Sequence, residues 1–305
     1  MIEFVSETQV KRWFPIWLAL SITWGFSFVF IKVASEFLDP FQQSFIRISL
    51  GLIALALVVT FSHRKFVTDF NAAKHLAFLG IIGQAIPFTL FAWGSHYLSS
   101  IASGLVNSMM ALYTAMLAIL LLPEEKLNRS RLVGLFLGFI GVLILLGIWD
   151  ENFRGTWFAY LALSMATFCY AISSIYTRKN LSPLKLDPVS AVTTQLFFGL
   201  IPVAIIAIFT TSPPTSYPVN GLISIVILGV MGTGFALALN FELIARTGAV
   251  VASTVTYSMP IVATFAGVLL LKEKLHWYEP IGAALALLGI SLVQGLLKPK
   301  FLKTN

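Results

Sequence analysis

Residues 115–141, AMLAILLLPEEKLNRSRLVGLFLGFIG, align without a gap with residues 263–289, ATFAGVLLLKEKLHWYEPIGAALALLG. The offset is 148 residues, and 10 of the 27 aligned pairs are identical. An apolar bias explains the shared leucines and alanines, but it does not explain a shared Glu-Lys-Leu triplet and two shared glycines. These matches are residues 125–127 with 273–275, Gly134 with Gly282, and Gly141 with Gly289. The chain therefore contains an internal repeat.

The apolar runs around this repeat indicate transmembrane helices. A helix needs about 20 apolar residues to cross the ~30 Å hydrocarbon core of a bilayer. Ten segments meet that demand, namely 15–35, 41–61, 76–98, 101–122, 132–149, 156–177, 189–210, 221–244, 249–271 and 278–297. We predict an all-α membrane protein of ten transmembrane helices.

The offset places five helices in each half of the chain, in residues 1–150 and in residues 151–305. Because five is an odd number, the second half must enter the membrane in the opposite sense to the first. Two inverted five-helix repeats are related by a pseudo-two-fold axis in the membrane plane, an arrangement that is typical of alternating-access carriers. The repeat therefore predicts a carrier architecture.

The composition excludes an ordinary soluble domain. The chain is 58% hydrophobic and 11% charged, whereas soluble domains carry roughly a quarter charged residues. The single Cys169 lies inside an apolar run, so we expect no disulfide framework and no thiolate metal site. No cleavable signal peptide is expected, because Glu3 and Glu7 precede the first apolar run.

The Lys and Arg residues predict the orientation, because cytoplasmic loops carry an excess of them. With the N-terminus in the cytoplasm, fifteen of these residues fall inside and three fall outside. The outside residues are Arg154, Lys272 and Lys274, and the last two are the inverted counterparts of the inside loop around Lys126. We therefore expect both termini to be cytoplasmic. The net charge of +7 belongs to these loops rather than to one basic face, so we expect no nucleic-acid partner.

Several motifs of the chain resemble those of the EamA-type drug/metabolite transporters, over residues 14–297. These motifs are Trp24-Gly25-Phe26-Ser27-Phe28 with Lys32, Pro40 with Arg47, and the two Glu-Lys-Leu turns with their Gly-rich helices. Pro123-Glu124 differs from the Leu-Gly that many members carry there. The resemblance implies export or exchange of small metabolites, amino acids or drugs across a bacterial inner membrane. It does not identify the cargo, because members differ widely in what they carry.

A carrier needs a cavity near the bilayer centre, and irregular helices can line it because they face water or protein there. Pro87 and Pro260 fall near the middle of the third and ninth helices, and Gly232 and Gly234 near the middle of the eighth. Each proline removes a backbone donor and favours a kink. We expect these four positions to line or gate the cavity, although transmembrane helices also carry Pro and Gly without transport roles.

Polar and aromatic side chains at the same depth are candidates for binding the cargo. They are Trp24, Ser27, Gln84, Phe88, Asn107, Tyr113, Tyr170, Tyr257 and Ser258. An unpartnered amide in hydrocarbon costs several kcal/mol, so Gln84 and Asn107 should face the interior or an aqueous cavity. Helix–helix hydrogen bonding explains these amides equally well. The aromatics suit an amphipathic cargo, and ordinary packing is the alternative for each.

Ionisable residues inside a membrane are functional candidates by default. Lys32 has Glu36 at i+4, and we favour a structural ion pair between them. Arg47 can anchor an anionic group or satisfy carbonyls at neighbouring helix ends. We favour the structural role for Arg47, because the resemblance makes it part of a general pattern.

His96 and Glu242 are the candidates for proton coupling. The unperturbed pKa of histidine is about 6.5, so His96 is chemically able to exchange protons near neutral pH. Glu242 has Arg246 at i+4, which points to a local pair. For both residues the alternative is an ordinary polar side chain near a helix end.

No pattern in the chain predicts an enzyme, a metal site or a cofactor. We find no His/Glu metal spacing, no phosphate-binding Gly-rich loop and no Ser/His/Asp set. The rival hypotheses are a membrane-embedded enzyme acting on a lipid or polyprenyl substrate, and a channel, which would usually need a ring of pore residues from several subunits. The expected partners are a small-molecule substrate, the lipid bilayer and protons as a candidate coupling ion. Gly134, Gly138, Gly141, Gly282 and Gly289 suit a scaffold or a dimer contact, so monomer and homodimer both stay open.

Overall fold

The computed structural model describes residues 7–121, 129–243 and 255–293, and within these ranges the chain is helical, with no strand. The α-helices are α1 Glu7–Ser35, α2 Pro40–Phe61, α3 Phe70–Gly80, α4 Ile86–Gly94, α5 Ser100–Asn107, α6 Met109–Leu121, α7 Arg129–Leu145, α8 Glu151–Tyr176, α9 Pro188–Thr210, α10 Val219–Gly229, α11 over residues 236–243, α12 Val255–Leu271 and α13 Tyr278–Val293. Three π-helical turns cover Ile81–Ala85, Thr177–Leu181 and Val230–Phe235, and a 3-10 turn covers Ser182–Leu184.

Seven helical stretches of the described residues are long and apolar enough to cross a membrane. They are Trp13–Ser35, Pro40–Phe61, Phe70–Gly94, Ser100–Leu121, Arg154–Leu181, Pro188–Thr210 and Val219–Leu243. Leu132–Leu145 and Ser258–Leu271 are shorter apolar helices. The chain is therefore a multi-pass helical membrane protein. The count of ten stays a prediction, because the described helices of the fifth, ninth and tenth segments have only 17, 17 and 16 residues.

Large apolar side chains cover the outside of the helices. Phe209 is 82% exposed, Phe265 is 61% exposed and Phe136 is 66% exposed. Such a surface is unfavourable in water and favourable against lipid tails. The chain can therefore expose many of its 26 phenylalanines, because these rings face the hydrocarbon of the membrane instead of water.

α2 and α9 begin in the same way, at positions 148 residues apart. Asp39 and Asp187 are the N-cap residues, and each is followed by a proline at the first helical position. Oδ1 of Asp39 accepts from the N–H of Phe41 at 2.9 Å, and Oδ2 of Asp187 accepts from the N–H of Ser190 at 2.9 Å. A capped start with Pro at N1 fixes where a helix begins. The sequence repeat is thus also a repeat of local structure.

Glycines allow α7 and α13 to cross in close contact. A Cβ atom on Gly141 would lie 2.4 Å from the backbone N of Ala286, and one on Gly289 would lie 2.4 Å from the N of Gly138. Only hydrogen atoms fit in these gaps. These glycines therefore join two helices of one chain, which favours the scaffold interpretation over the dimer contact.

Helices of the two halves pack against each other along much of the chain. α1 packs against α10 and α12, and α8 packs against α4, α5 and α6. α9 packs along α2 and α3, and α2 packs against α10 and the π-helical turn Val230–Phe235. The middle of the molecule is thus lined by helices of both halves.

Candidate functional site

Arg47 of α2 is the buried charge at the centre of the candidate site. The residue is 6% exposed, and its Nε donates to Oγ1 of Thr233 at 2.8 Å. Its guanidinium carbon lies 3.6 Å from the ring centroid of Phe88, in a cation–π contact. Thr233 lies in the π-helical turn Val230–Phe235, and its hydroxyl donates to the Leu228 carbonyl at 3.1 Å. The guanidinium is therefore held by α2, α4 and the irregular part of the eighth span.

Two contacts of Arg47 offset the cost of its burial. Removing a cation from water costs several kcal/mol. A cation–π contact contributes roughly 0.5–2 kcal/mol, and a hydrogen bond from a charged group about 1.5–3 kcal/mol. Within the described parts of the chain, no carboxylate lies within ion-pair distance, and Thr233 is the only hydrogen-bond acceptor of the guanidinium. The fork formed by Nη1 and Nη2 is left available.

Gln84 forms a second buried polar pair. Nε2 of Gln195 on α9 donates to Oε1 of Gln84 at 2.7 Å, and the two residues are 5% and 4% exposed. Gln84 lies in the π-helical turn Ile81–Ala85, three residues before Pro87. A Cβ on Gly83 would lie 2.6 Å from Oγ of Ser173, so α8 also closes on this turn. The sequence predicted that Gln84 faces the interior, and the structure gives it a helix–helix hydrogen bond.

The two polar pairs occupy equivalent places in the repeat. Gln195 is 148 residues after Arg47, and Thr233 is 149 residues after Gln84. Each pair joins the first turns of a Pro-started helix, α2 or α9, to a π-helical turn of the other half. Sequence reasoning did not single out Gln195 or Thr233. The offset of 148 maps Arg47 directly onto Gln195, so that signal was present.

Tyr170 of α8 packs beside the Arg47 site. Its ring stacks on Phe91 of α4, with 6.1 Å between centroids, and packs against the apolar cluster that contains Phe88. The phenol also interacts electrostatically with Arg47. Phe88, Tyr170 and Arg47 therefore place two aromatic rings beside one cation.

Trp24 and Ser27 of α1 contact the same irregular turn as Arg47. Nε1 of Trp24 donates to the carbonyl of Gly232 at 3.2 Å, and a Cβ on Gly232 would lie 2.8 Å from Oγ of Ser27. Ser258 on α12 donates to Oγ of Ser21 at 2.6 Å. α1 therefore joins the turn with Gly232 and Gly234 on one side to α12 on the other.

The remaining aromatic and amide candidates lie on other elements. The hydroxyls of Tyr113 on α6 and Ser164 on α8 are 2.5 Å apart. Asn107 is 3% exposed at the end of α5, and its side chain makes no hydrogen bond to a described residue. Pro260 lies inside the continuous helix α12. The side chain of Tyr257 lies outside what the structure describes.

The loop ends of several helices carry the other charged candidates. Nζ of Lys32 donates to the Ser95 carbonyl at 2.6 Å, instead of pairing closely with Glu36. His96 follows α4. Partial burial of its ring and the charge of Lys32 lower the pKa of His96, while the charge of Asp39 acts to raise it. Glu242 in α11 is partly buried, whereas its predicted partner Arg246 lies outside the described residues.

Glu273, which follows α12, caps the start of α5. Its carboxylate accepts from the N–H of Ser100 at 2.7 Å, from the Ser100 hydroxyl at 2.9 Å and from the N–H of Ile101 at 3.0 Å. A carboxylate at a helix N-terminus satisfies free N–H groups and interacts well with the helix dipole. This contact gives the second Glu-Lys-Leu turn a structural role. The matching Glu125 lies outside the described residues.

Asp187 and Arg64 join two loops at another end of the bundle. Nη1 of Arg64 donates to Oδ1 of Asp187 at 2.7 Å. Partial burial acts to raise the pKa of Asp187, but the hydrogen bonds from Ser190 and the charge of Arg64 lower it below its ordinary value. The N-cap carboxylate is therefore ionised at neutral pH.

Comparison with known proteins identifies the family. The profile of the EamA-like transporter family matches residues 12–147 and 157–294. An "Uncharacterized transporter" of Archaeoglobus fulgidus is 27% identical over 289 residues, covering 93% of this chain and 99% of the relative. The "Uncharacterized transporter YoaV" of Bacillus subtilis is 21% identical, covering 90% of this chain and 93% of the relative.

A solved crystal structure shares the fold, with a TM-score of 0.65 and 17% sequence identity. The superposition covers 94% of this chain and 97% of that chain. The two matched halves span nearly the whole chain, and the relatives are named as transporters rather than enzymes. The chain is therefore a transporter and not an enzyme, and it belongs to the EamA-like transporter family.

Proposed function

We propose that the chain is a secondary carrier that moves small metabolites, such as amino acids or amphipathic aromatic compounds, by alternating access. Its ten transmembrane helices form two inverted repeats, residues 1–150 and 151–305, around a central cavity. It lies in the bacterial cytoplasmic membrane with both termini in the cytoplasm and acts as an exporter or exchanger. Transport is facilitated or coupled to an ion gradient, with His96 and Glu242 as the candidates for proton coupling.

The observation that supports this proposal most is the equivalence of contacts between the halves. Arg47–Thr233 and Gln195–Gln84 are equivalent hydrogen-bonded pairs. The backbones approach in the same way, because a Cβ on Gly229 would lie 3.1 Å from the Arg47 carbonyl and one on Gly80 would lie 2.3 Å from the Gln195 carbonyl. Each half thus contributes the same surface to the other, as a pseudo-two-fold axis requires.

The helix pairings follow the same rule. The pair α1 with α12 corresponds to the pair α8 with α6, and α2 with α10 corresponds to α9 with α3. α7 with α13 and α2 with α9 are pairings of a helix with its own counterpart. Rocking of one set of helices against another is the motion that such symmetry permits.

The π-helical turns support a central cavity. Ile81–Ala85 and Val230–Phe235 interrupt the third and eighth spans near their middle. Irregular backbone at membrane depth is tolerated where it faces protein or water. Trp24, Phe88 and Tyr170 lie around these turns, and their faces suit an amphipathic cargo.

Counterflow in proteoliposomes tests the proposal. The full chain is reconstituted into proteoliposomes, which are loaded with a pooled panel of unlabelled amino acids and aromatic metabolites. Uptake of each labelled compound is then followed with and without a pH gradient. We expect saturable counterflow of at least one compound. Trp24→Phe removes the hydrogen bond to Gly232 and should slow it, whereas Phe209→Leu changes a lipid-facing ring and should not.

Each outcome of this experiment has a clear meaning. Counterflow that is accelerated by the pH gradient supports proton coupling and directs the next variants to His96 and Glu242. Flux that rises linearly with concentration and shows no counterflow would indicate a channel. Absence of flux with every panel compound, from folded protein, would argue against a carrier of metabolites.

A further inference from the structure

We propose that the guanidinium of Arg47 is the anion-binding group of the central site, and that the cargo carries a single carboxylate next to an apolar or aromatic body. This inference rests on the proposed function, because it names the chemical class of the cargo of the same cavity. It assigns to Arg47 a binding role in place of the structural role that the sequence favoured.

Arg47 has hydrogen-bond donors that no described residue uses. A guanidinium has five N–H donors in a rigid fork. The structure uses the Nε donor on Thr233 and covers one face of the group with Phe88. Among the described residues no carbonyl or carboxylate accepts from the Nη1 and Nη2 fork. A buried cation with an unused fork is a preformed site for a planar anion.

The repeat gives Arg47 a counterpart, Gln195, which lies 148 residues later. The equivalent position of the other half holds a neutral amide, and this amide bonds to a neutral partner, Gln84. Both pairs join the same kinds of element, so the packing of these helices does not require a charge. A structural role alone therefore gives no reason for the arginine, whereas binding of an anion gives one.

The single charge of Arg47 limits the charge of the anion that it can balance. Arg47 is a single cation, and the guanidinium has no second cation beside it among the described residues. Lys32 is held by the Ser95 carbonyl and lies in the field of Glu36 and Glu273. A monoanion on Arg47 gives a neutral complex, whereas a dianionic phosphate leaves a net charge in a medium of low dielectric constant. The site therefore favours a carboxylate.

Aromatic rings lie beside the guanidinium of Arg47. Phe88 lies on the face of the guanidinium, and Tyr170 stacks on the neighbouring Phe91. These rings provide apolar faces beside the fork, while the Tyr170 hydroxyl adds a polar group near Arg47. A ligand that carries a carboxylate on a flat apolar body would place the carboxylate on the fork and the apolar body against the rings.

Ligand-induced stabilisation of the full chain in lipid nanodiscs tests the inference. The probes are the monoanion 3-phenylpropionate, the zwitterion L-phenylalanine, the amides 3-phenylpropionamide and L-phenylalaninamide, in which a neutral carboxamide replaces the carboxylate, and 3-phenylpropyl phosphate. For each probe the unfolding midpoint is measured against concentration. We expect at least one acid to bind about 10- to 100-fold more tightly than its amide, which is the effect of one charge-assisted hydrogen-bonded pair. We expect the phosphate to bind more weakly than 3-phenylpropionate.

The variants separate charge from fold. Arg47→Gln copies the amide of the equivalent position and should abolish the preference for acid over amide. Arg47→Lys keeps the charge but loses the fork, and it should retain a reduced preference even if Arg47→Gln does not fold. Thr60→Val, at an exposed position of the same helix α2, should leave the preference unchanged.

The inference is overturned if no acid stabilises the wild-type chain, if acids and amides bind equally, or if Arg47→Gln keeps the preference. Tighter binding of the phosphate would overturn the choice of a monoanion. Counterflow measurements distinguish failure of the anion-site inference from failure of the carrier proposal. Saturable counterflow of neutral or cationic compounds that is unaffected by Arg47→Gln would leave the carrier standing without the anion site.

Discussion

At the scale of single residues, the two buried amides Gln84 and Gln195 are the simplest polar contact of the membrane interior. Each is at most 5% exposed, and the hydrogen bond between them is 2.7 Å long. Removing one member of such a pair leaves the other buried without its partner, whereas removing both leaves two apolar side chains. The contact can therefore be measured by a double-mutant cycle.

We expect Gln84→Leu and Gln195→Leu each to destabilise the chain by about 1–3 kcal/mol, and the double variant to cost clearly less than the sum. The coupling energy should be about 0.6–1.7 kcal/mol, as for hydrogen bonds between transmembrane helices. Reversible unfolding in mixed micelles measures these differences. Thr60→Val serves as control, because Thr60 is exposed and its hydroxyl donates only within its own helix. Additive costs would mean that the two amides do not act as a pair.

Sequence reasoning identified Arg47, Gln84 and Phe88 but not the residues that hold them. α9 has 23 residues and α2 has 22, so the offset between the halves grows from 148 to 149 beyond these helices. A single ungapped offset therefore does not match Gln84 with Thr233. The close contacts beside the π-helical turns could not be predicted from the local sequence either. They depend on which helix packs against Gly80 and Gly229, and tertiary structure decides this.

At the scale of elements, Glu273 connects the end of α12 to the start of α5. Three hydrogen bonds from Ser100 and Ile101 end on its carboxylate. We expect Glu273→Ala to destabilise the chain by about 0.5–2 kcal/mol, which is the typical cost of losing an N-cap side chain. The unfolding midpoint in nanodiscs measures this loss. Lys274→Ala in the same turn should change the midpoint little, because Lys274 is exposed. Equal effects of the two changes would refute a specific cap.

The crossing of α7 and α13 gives a second prediction for elements. Gly141→Ala adds a Cβ 2.4 Å from a backbone atom of Ala286, so the helices must separate. We expect a loss of about 1–3 kcal/mol, as for overpacked cores. Gly155→Ala is the matched control, because no atom lies within 4 Å of a Cβ there. Replacing this helical glycine should be neutral or stabilising by up to about 1 kcal/mol. A stable Gly141→Ala variant would show that the crossing can relax.

At the scale of the whole molecule, the sequence predicted most of the helix positions. The predicted segment 41–61 is helix Pro40–Phe61, and 189–210 is Pro188–Thr210. The third span begins six residues earlier than predicted, at Phe70, because Asp69 caps it through the N–H of Ala72. The length of an apolar run does not predict a first helical turn that contains polar residues. Orientation is the property that the helix positions leave open, and the charges of the loops predict it.

Two corresponding loops provide a direct test of the inverted repeat. Thr68 lies in the loop between α2 and α3, and Ser216 lies in the equivalent loop between α9 and α10. Both residues are exposed, and they are 148 positions apart. Inverted halves place these loops on opposite sides of the membrane, whereas parallel halves place them on the same side. With both termini cytoplasmic, the loop of Thr68 is inside and the loop of Ser216 is outside.

We expect Ser216→Cys to react with a membrane-impermeant maleimide in intact cells, and Thr68→Cys to react only after the membrane is permeabilised. The background is Cys169→Ser, which removes the one native thiol and should give no labelling under either condition. Labelling of both variants in permeabilised cells is the control that each thiol is accessible. If both thiols react in intact cells, or neither does, the halves are parallel and a pseudo-two-fold axis in the membrane plane is excluded. If only Thr68→Cys reacts in intact cells, the repeat is inverted but both termini lie outside. The loops with the excess of Lys and Arg would then lie outside the cell, whereas such loops are normally cytoplasmic.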